Sequence, residues 1–255
     1  MPLSDVDLEQ LEKNYFDIID LHVRTNLTSL LTGLSSRHMI FNDWNSRFVS
    51  TARRGYNASN LDIGAERIFH NVFSSLHWTP NSAPIGSDLF FETENAFIHI
   101  DIKTALLTNR ADYYGRVNVG RNQTSYPAYQ GTNINFSPNL PIYYNYGTSN
   151  EKSCLTYGIQ IIHENIKQNI LAILLFSIPN GQLFRHYGNL IVNRGKSGFY
   201  PKGTRNVKDF RFAYYKNPNF ILLQNTPFRV KFVHFDNSQN PNVQKVDLAR
   251  NHQIR

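Results

Sequence analysis

The chain has 255 residues, 41% of them hydrophobic and 18% charged, and a formal net charge of +7. That length suits one domain with a real core, and the positive balance favours a polyanionic partner without choosing among DNA, RNA and an acidic membrane surface. A lone cysteine, Cys154, rules out an intramolecular disulfide and a cysteine-built zinc site, in keeping with a reducing compartment.

The first residues, Met1-Pro-Leu-Ser-Asp-Val-Asp7, are polar and acidic and lack the basic start and apolar run of a secretory signal. Residues 4–32 are expected to form a helix. Ser4 and Asp7 resemble a capping box, Leu8, Leu11, Tyr15, Ile18, Ile19, His22 and Val23 follow a 3.6-residue period, and Gly33 is a plausible stop. Residues 37–55 carry Arg37, Arg47, Arg53 and Arg54, either a solvated face or phosphate contacts. A second helix is expected over residues 61–76, with Ile63, Ile68, Val72, Phe73 and Leu76 facing the core.

The prolines and glycine of residues 79–86 mark a loop, and two β-rich runs follow, 87–91 and 96–102, joined by a turn at 92–95. Residues 106–150 are rich in Asn, Tyr, Gly and Pro and too long for an idle connection. Strands return at 155–162 and 170–176; the second is apolar on both faces and is expected to be central. The stretch 169–178 is far too short to span a membrane, so a soluble cytoplasmic protein with no membrane partner is expected. Strand-like runs at 210–215, 220–223 and 228–235 alternate with basic loops. The fold class is therefore α/β or α+β, a mixed central β-sheet flanked by helices. It is read as one domain over 1–255, with an N-terminal helical region (1–60), a core (61–180) and a β-rich basic region (181–255).

The chemistry concentrates in Pro84-Ile-Gly-Ser-Asp88 and Ile98-His-Ile-Asp101-Ile-Lys103. Strand side chains alternate faces, so Asp101 and Lys103 share one side and Ile102 takes the other. The spacing from Asp88 to Asp101 accommodates one strand, a tight turn and a return strand, which can bring two carboxylates to one divalent ion. Phosphodiester hydrolysis asks for such a hard cation, and Mg²⁺ takes one or two protein carboxylates beside waters and phosphate oxygens. Asp88, Asp101 and the Ile102 carbonyl are candidate ligands, and Lys103 is a candidate to orient or deprotonate the attacking water and stabilise the phosphate. The plain alternative is a pair of ordinary turn and strand-edge acids with Lys103 as their salt-bridge partner.

Asp88 followed by Asp101-Ile-Lys103 at the end of an apolar strand resembles the PD-(D/E)xK nuclease superfamily, and the size, charge and helix-first layout look most like a type II restriction endonuclease. The resemblance covers roughly residues 60–105. It departs at Ser87, where the eponymous proline would stand. It adds Glu66, on the helix before the hairpin, as a further catalytic acid. It implies a Mg²⁺-dependent enzyme that hydrolyses both strands of double-stranded DNA at a short specific sequence, leaving 5′-phosphates, as a homodimer in a bacterial cytoplasm. The first helix is a candidate dimer element. The rivals are a repair or recombination nuclease of the same superfamily, and a non-catalytic DNA-binding protein.

Two further tracts are candidates for DNA contact. Arg116, Arg121, Asn122 and Gln123 follow the candidate catalytic strand and have the side chains that address guanine and adenine edges. Arg194, Lys196, Lys202 and Arg205 lie in a basic, aromatic tract suited to phosphate. Each could equally be a polar surface loop. His99 is read as structural or supporting, and Gly195-Lys196-Ser197 fails as a phosphate loop because Leu190 stands where its first glycine belongs.

Overall fold

The computed structural model describes residues 3–36, 61–82, 86–130, 133–164, 169–195, 209–214, 223, 227–236 and 238. Helix α1 (Asp5–Thr25) begins where Ser4 caps it by accepting from the Asp7 N–H at 3.2 Å. It is shorter than the sequence predicts. The Asn26 side chain donates to the His22 carbonyl at 2.9 Å, closing the last turn, and a separate helical stretch runs over residues 27–36. Gly33 lies inside that stretch rather than ending it, and a Cβ there would come within 3.3 Å of Ile68 on α2 (Leu61–Phe73).

The central sheet is built from β1 (Thr79–Pro80), β2 (Leu89–Glu92), β3 (Ala96–Leu106), β7 (Tyr143–Tyr144), β8 (Lys152–His163), β9 (Ile170–Ile178) and β12 (Val230–Phe235). Its order is β1-β2-β3-β8-β9-β12, with β7 also paired to β8. The expected hairpin is β2–β3, antiparallel with Leu89 opposite Ile100, closed by Thr93 N–H on the Ala96 carbonyl at 2.9 Å. All nine residues of β9 are buried, as its two-sided apolar pattern requires. β12 joins the central sheet beside β9.

Strands β3 and β8 are parallel, from Ala96 opposite Ser153 to Leu106 opposite His163. A parallel pair needs a long crossover, which accounts for the length of residues 107–151. That excursion carries β4 (Val117–Gly120), β5 (Ala128–Gln130) and β6 (Asn133–Phe136). β4 pairs with β11 (Asp209–Phe212), which pairs with β10 (Val192–Arg194). Val117–Gly120 of the first polar tract and Arg194 and Arg211, at the two described ends of the second, thus lie in one antiparallel ribbon. Val117, Val119, Phe210 and Phe212 are buried, while Asn118, Asp209 and Arg211 alternate with them on the more open face.

The central sheet is covered on both faces. On one, Phe16 of α1 stacks on Tyr157 (5.8 Å) and Phe73 of α2 meets Phe91 (6.2 Å). On the other, Phe212 of the ribbon meets Phe176 (6.0 Å). No helix among the described residues is long and apolar enough to cross a membrane.

Candidate active site

Continuing the β2–β3 register by one pair sets Asp88, just before β2, opposite Asp101. The Ile102 N–H donates to Asp88 Oδ2 at 2.5 Å, which fixes the carboxylate at the end of the ladder. The N–H and C=O of one strand residue point the same way, so the Ile102 carbonyl faces the Asp88 side as well. By the period of two, His99, Asp101 and Lys103 share the face covered by the excursion, while Ile98, Ile100 and Ile102 pack toward the helices.

Asp101 is 5% exposed, and Lys103 Nζ lies 2.8 Å from its Oδ2. Burial pushes the Asp101 carboxyl up to about 6; Lys103 opposes that shift, and the negative charges of Asp88 and Glu66 reinforce it. Three acids therefore act on one another beside a single lysine, and a cation held among them would relieve that repulsion. Among the described residues no three His, Cys, Asp or Glu side chains form a ready metal cage. Two carboxylates and a backbone carbonyl nevertheless fit a hard cation that keeps waters and substrate oxygens in its remaining positions.

A residue expected among the base contacts sits in this cluster instead. Gln123, on the short 3₁₀ turn Arg121–Gln123, donates from Nε2 to Asp101 Oδ1 at 2.5 Å and accepts from Lys103 Nζ at 2.9 Å and from the Gly120 N–H at 2.8 Å. A glutamine three residues beyond a helix-capping position signals the turn, but not its contact with Asp101 and Lys103. The loop carrying Asp88 is braced separately. His99 is fully buried and stacks on Phe90 at 4.2 Å, and its ring nitrogens lie 3.1 Å from Ser87 Oγ and 3.0 Å from the Tyr144 hydroxyl. Burial lowers its pKa to about 3, so the ring is neutral.

Arg116 and Arg121 are half-buried and Asn122 is exposed, all at or beside the ends of β4. Arg194 belongs to β10, and Lys196, Lys202 and Arg205 lie outside the described residues, as do Arg37, Arg47, Arg53 and Arg54.

The family model of the type II restriction enzyme MwoI N-terminal domain matches residues 5–168, and that of its central domain matches residues 170–235. The fold is similar to the restriction endonuclease BglI bound to its DNA recognition sequence, with a TM-score of 0.67 and 16% identity over 90% of this chain and 91% of that one. It is also similar to the tetrameric restriction endonuclease SfiI bound to cognate DNA, with a TM-score of 0.64 and 14% identity over 92% and 87%. No curated protein sequence matches the chain. A buried acid–lysine cluster at the end of a hairpin, on a mixed sheet flanked by helices, thus sits within a sequence matched along most of its length, and the chain belongs to the MwoI family of type II restriction enzymes, site-specific deoxyribonucleases that cleave DNA.

Proposed function

We propose that this enzyme cuts double-stranded DNA with Asp88, Asp101 and Lys103, joined by Glu66, in a Mg²⁺-dependent hydrolysis. The observation that carries the reading is the bond from the Ile102 N–H to Asp88, which holds one acid opposite the other with Lys103 against the second. Asp88, Asp101 and the Ile102 carbonyl would hold the cation, with Glu66 reaching the same field. When bound, such a cation screens the phosphate charge and acidifies the attacking water. Lys103 orients that water and stabilises the negative charge on the phosphate oxygens during attack. The water oxygen gives up a proton and bonds to phosphorus as the bond to the 3′ oxygen breaks; that oxygen takes up a proton, leaving a 5′-phosphate and a 3′-hydroxyl.

The ribbon β10–β11–β4 supports a division of labour on the DNA. Arg116, Arg121 and Asn122 address base edges, and Arg194 with Lys196, Lys202 and Arg205 addresses phosphates. A symmetric recognition site would call for a homodimer with a matching two-fold axis, which sedimentation at twice the chain mass would support. The setting we infer is the cytoplasm, with no membrane partner.

Asp101→Ala and Lys103→Ala are expected to abolish cleavage while DNA affinity, measured by gel shift with Ca²⁺ replacing Mg²⁺, stays within about threefold, because both side chains are assigned to the chemical step rather than to reading the site. Undiminished cleavage by both variants would remove the assignment.

A further inference from the structure

We propose that Gln123 is a positioning residue for cleavage, its side-chain amide setting the Asp101–Lys103 geometry and tying it to the turn 121–123. The inference rests on the assignment of Asp101 and Lys103 to the active site, and it gives Gln123 a role other than base contact.

The amide is used from both ends. Its carbonyl oxygen accepts two hydrogen bonds, from Lys103 Nζ at 2.9 Å and the Gly120 N–H at 2.8 Å, which fills its lone pairs. Its nitrogen donates to Asp101 Oδ1 at 2.5 Å. The orientation is dictated by chemistry: turned over, the NH₂ group would face an ammonium and an N–H, and the oxygen would face a carboxylate. Gln123 is thus one corner of a triangle: its bonds to Lys103 and Asp101 are two sides, and the Lys103–Asp101 ion pair is the third. Removing the amide leaves that pair without the group that fixes its direction.

The turn bearing Gln123 is itself anchored on the opposite side. The Asn139 N–H donates to the Arg121 carbonyl at 2.8 Å, and Asn139 Nδ2 donates to Asn122 Oδ1 at 2.5 Å. Gly86, two residues before Asp88 and at φ +62, lies so close to this turn that an added Cβ would fall 2.0 Å from Asn122 Cβ. One three-residue turn thus touches the segment bearing Asp88 through Asn122 and the Asp101–Lys103 pair through Gln123. A shift of Arg121 and Asn122 on meeting a base would carry the Gln123 amide with it. Partners that orient the groups around a metal site usually cost 10–100-fold in activity when lost.

The test compares Gln123→Met, which keeps length and apolar packing, with Gln123→Glu, which keeps an acceptor for Lys103 and Gly120 but sets an oxygen against Asp101. With enzyme in excess over a plasmid that the wild type cuts, both variants are expected to lose about 10–100-fold in single-turnover rate. Their affinity for the same DNA with Ca²⁺ replacing Mg²⁺, and their thermal midpoints, are expected to match the wild type. A wild-type rate in either variant overturns the proposal, since it removes either the whole clamp or its bond to Asp101. A retained rate at saturation with weakened binding overturns it in favour of base contact, and equal losses of thermal midpoint and binding overturn it in favour of a merely structural role. Asp101→Ala, run in parallel, separates the two levels: if it still cuts, the site assignment fails, and if it does not while the Gln123 variants cut normally, only this inference fails.

Discussion

At the scale of single residues, the site is governed by burial. Asp101 is raised to about 6 because its carboxylate is nearly buried and faces two other acids, a shift that Lys103 opposes. His99 shows the same force with the opposite sign. Its folded pKa of about 3 lies below the 6.5 of an ordinary histidine, so between these values the unfolded chain takes up a proton that the folded protein refuses. Stability must then fall as pH falls through that window, and the histidine contributes nothing to the slope above it. From pH 7 to pH 5 the wild type is expected to lose about 2 kcal/mol more than His99→Gln, measured by urea unfolding at the two pH values. Equal losses would show that His99 is not held neutral. The pairing of Asp88, Asp101 and Lys103 was legible in the sequence because a hairpin's register is local. The position of Gln123 was not: its chemistry fits a base edge as well as an acid–lysine pair, and only the path of the chain after β3 decides which it meets.

At the scale of elements, local periodicity foretold both long helices, the longer strands of the central sheet and the β2–β3 hairpin, but not the short strands of the excursion or the pairings between distant segments. Residues 96–102 read as a strand from their own composition, yet nothing in them announces that the strand runs on to Leu106 or pairs in parallel with Lys152–His163. The ribbon joining Val117–Gly120 to Asp209–Phe212 is equally nonlocal, and its two strands look unrelated along the chain. The end of α1 at Asn26 was missed because the hydrophobic period runs on past a side chain that caps the helix. One element-level contact is directly testable. Gly86 combines a left-handed φ with a close approach to the turn at Asn122, so any Cβ must displace the Asp88 loop or the turn. Gly86→Ala is expected to cost about 1–3 kcal/mol in urea unfolding and at least about tenfold in cleavage rate, because it moves an acid relative to Asp101. Unchanged cleavage would show that the loop tolerates the shift.

At the scale of the whole molecule, α1 is held by a buried charge cluster that no local pattern reveals. Arg229, before β12 and fully buried, donates to Glu9 at 2.8 Å and Glu12 at 2.6 Å, while its Nε reaches the Tyr187 hydroxyl at 3.0 Å and its guanidinium lies over the Phe228 ring at 4.6 Å. Glu12 also accepts from the Asn180 N–H at 2.6 Å, so the first helix, the end of β9 and the start of β12 meet at one guanidinium. Arg229→Ala would leave two carboxylates buried without their cation and is expected to cost about 3–5 kcal/mol in urea unfolding. A loss below about 1 kcal/mol would show that water or protonation takes its place. This joint packs α1 into the body of the protein, yet Ile18 and Leu21 remain 40% and 68% exposed on its outer side.

The central claim, that cleavage at a specific DNA sequence is carried out by the hairpin acids and Lys103, is met most directly by mapping every end released from a plasmid of known sequence in Mg²⁺ by the wild type and by Asp101→Ala. Discrete fragments are expected from the wild type, each ending in a 5′-phosphate at one short recurring sequence, and none from the variant. A smear from the wild type, or the same fragments from Asp101→Ala, would contradict it.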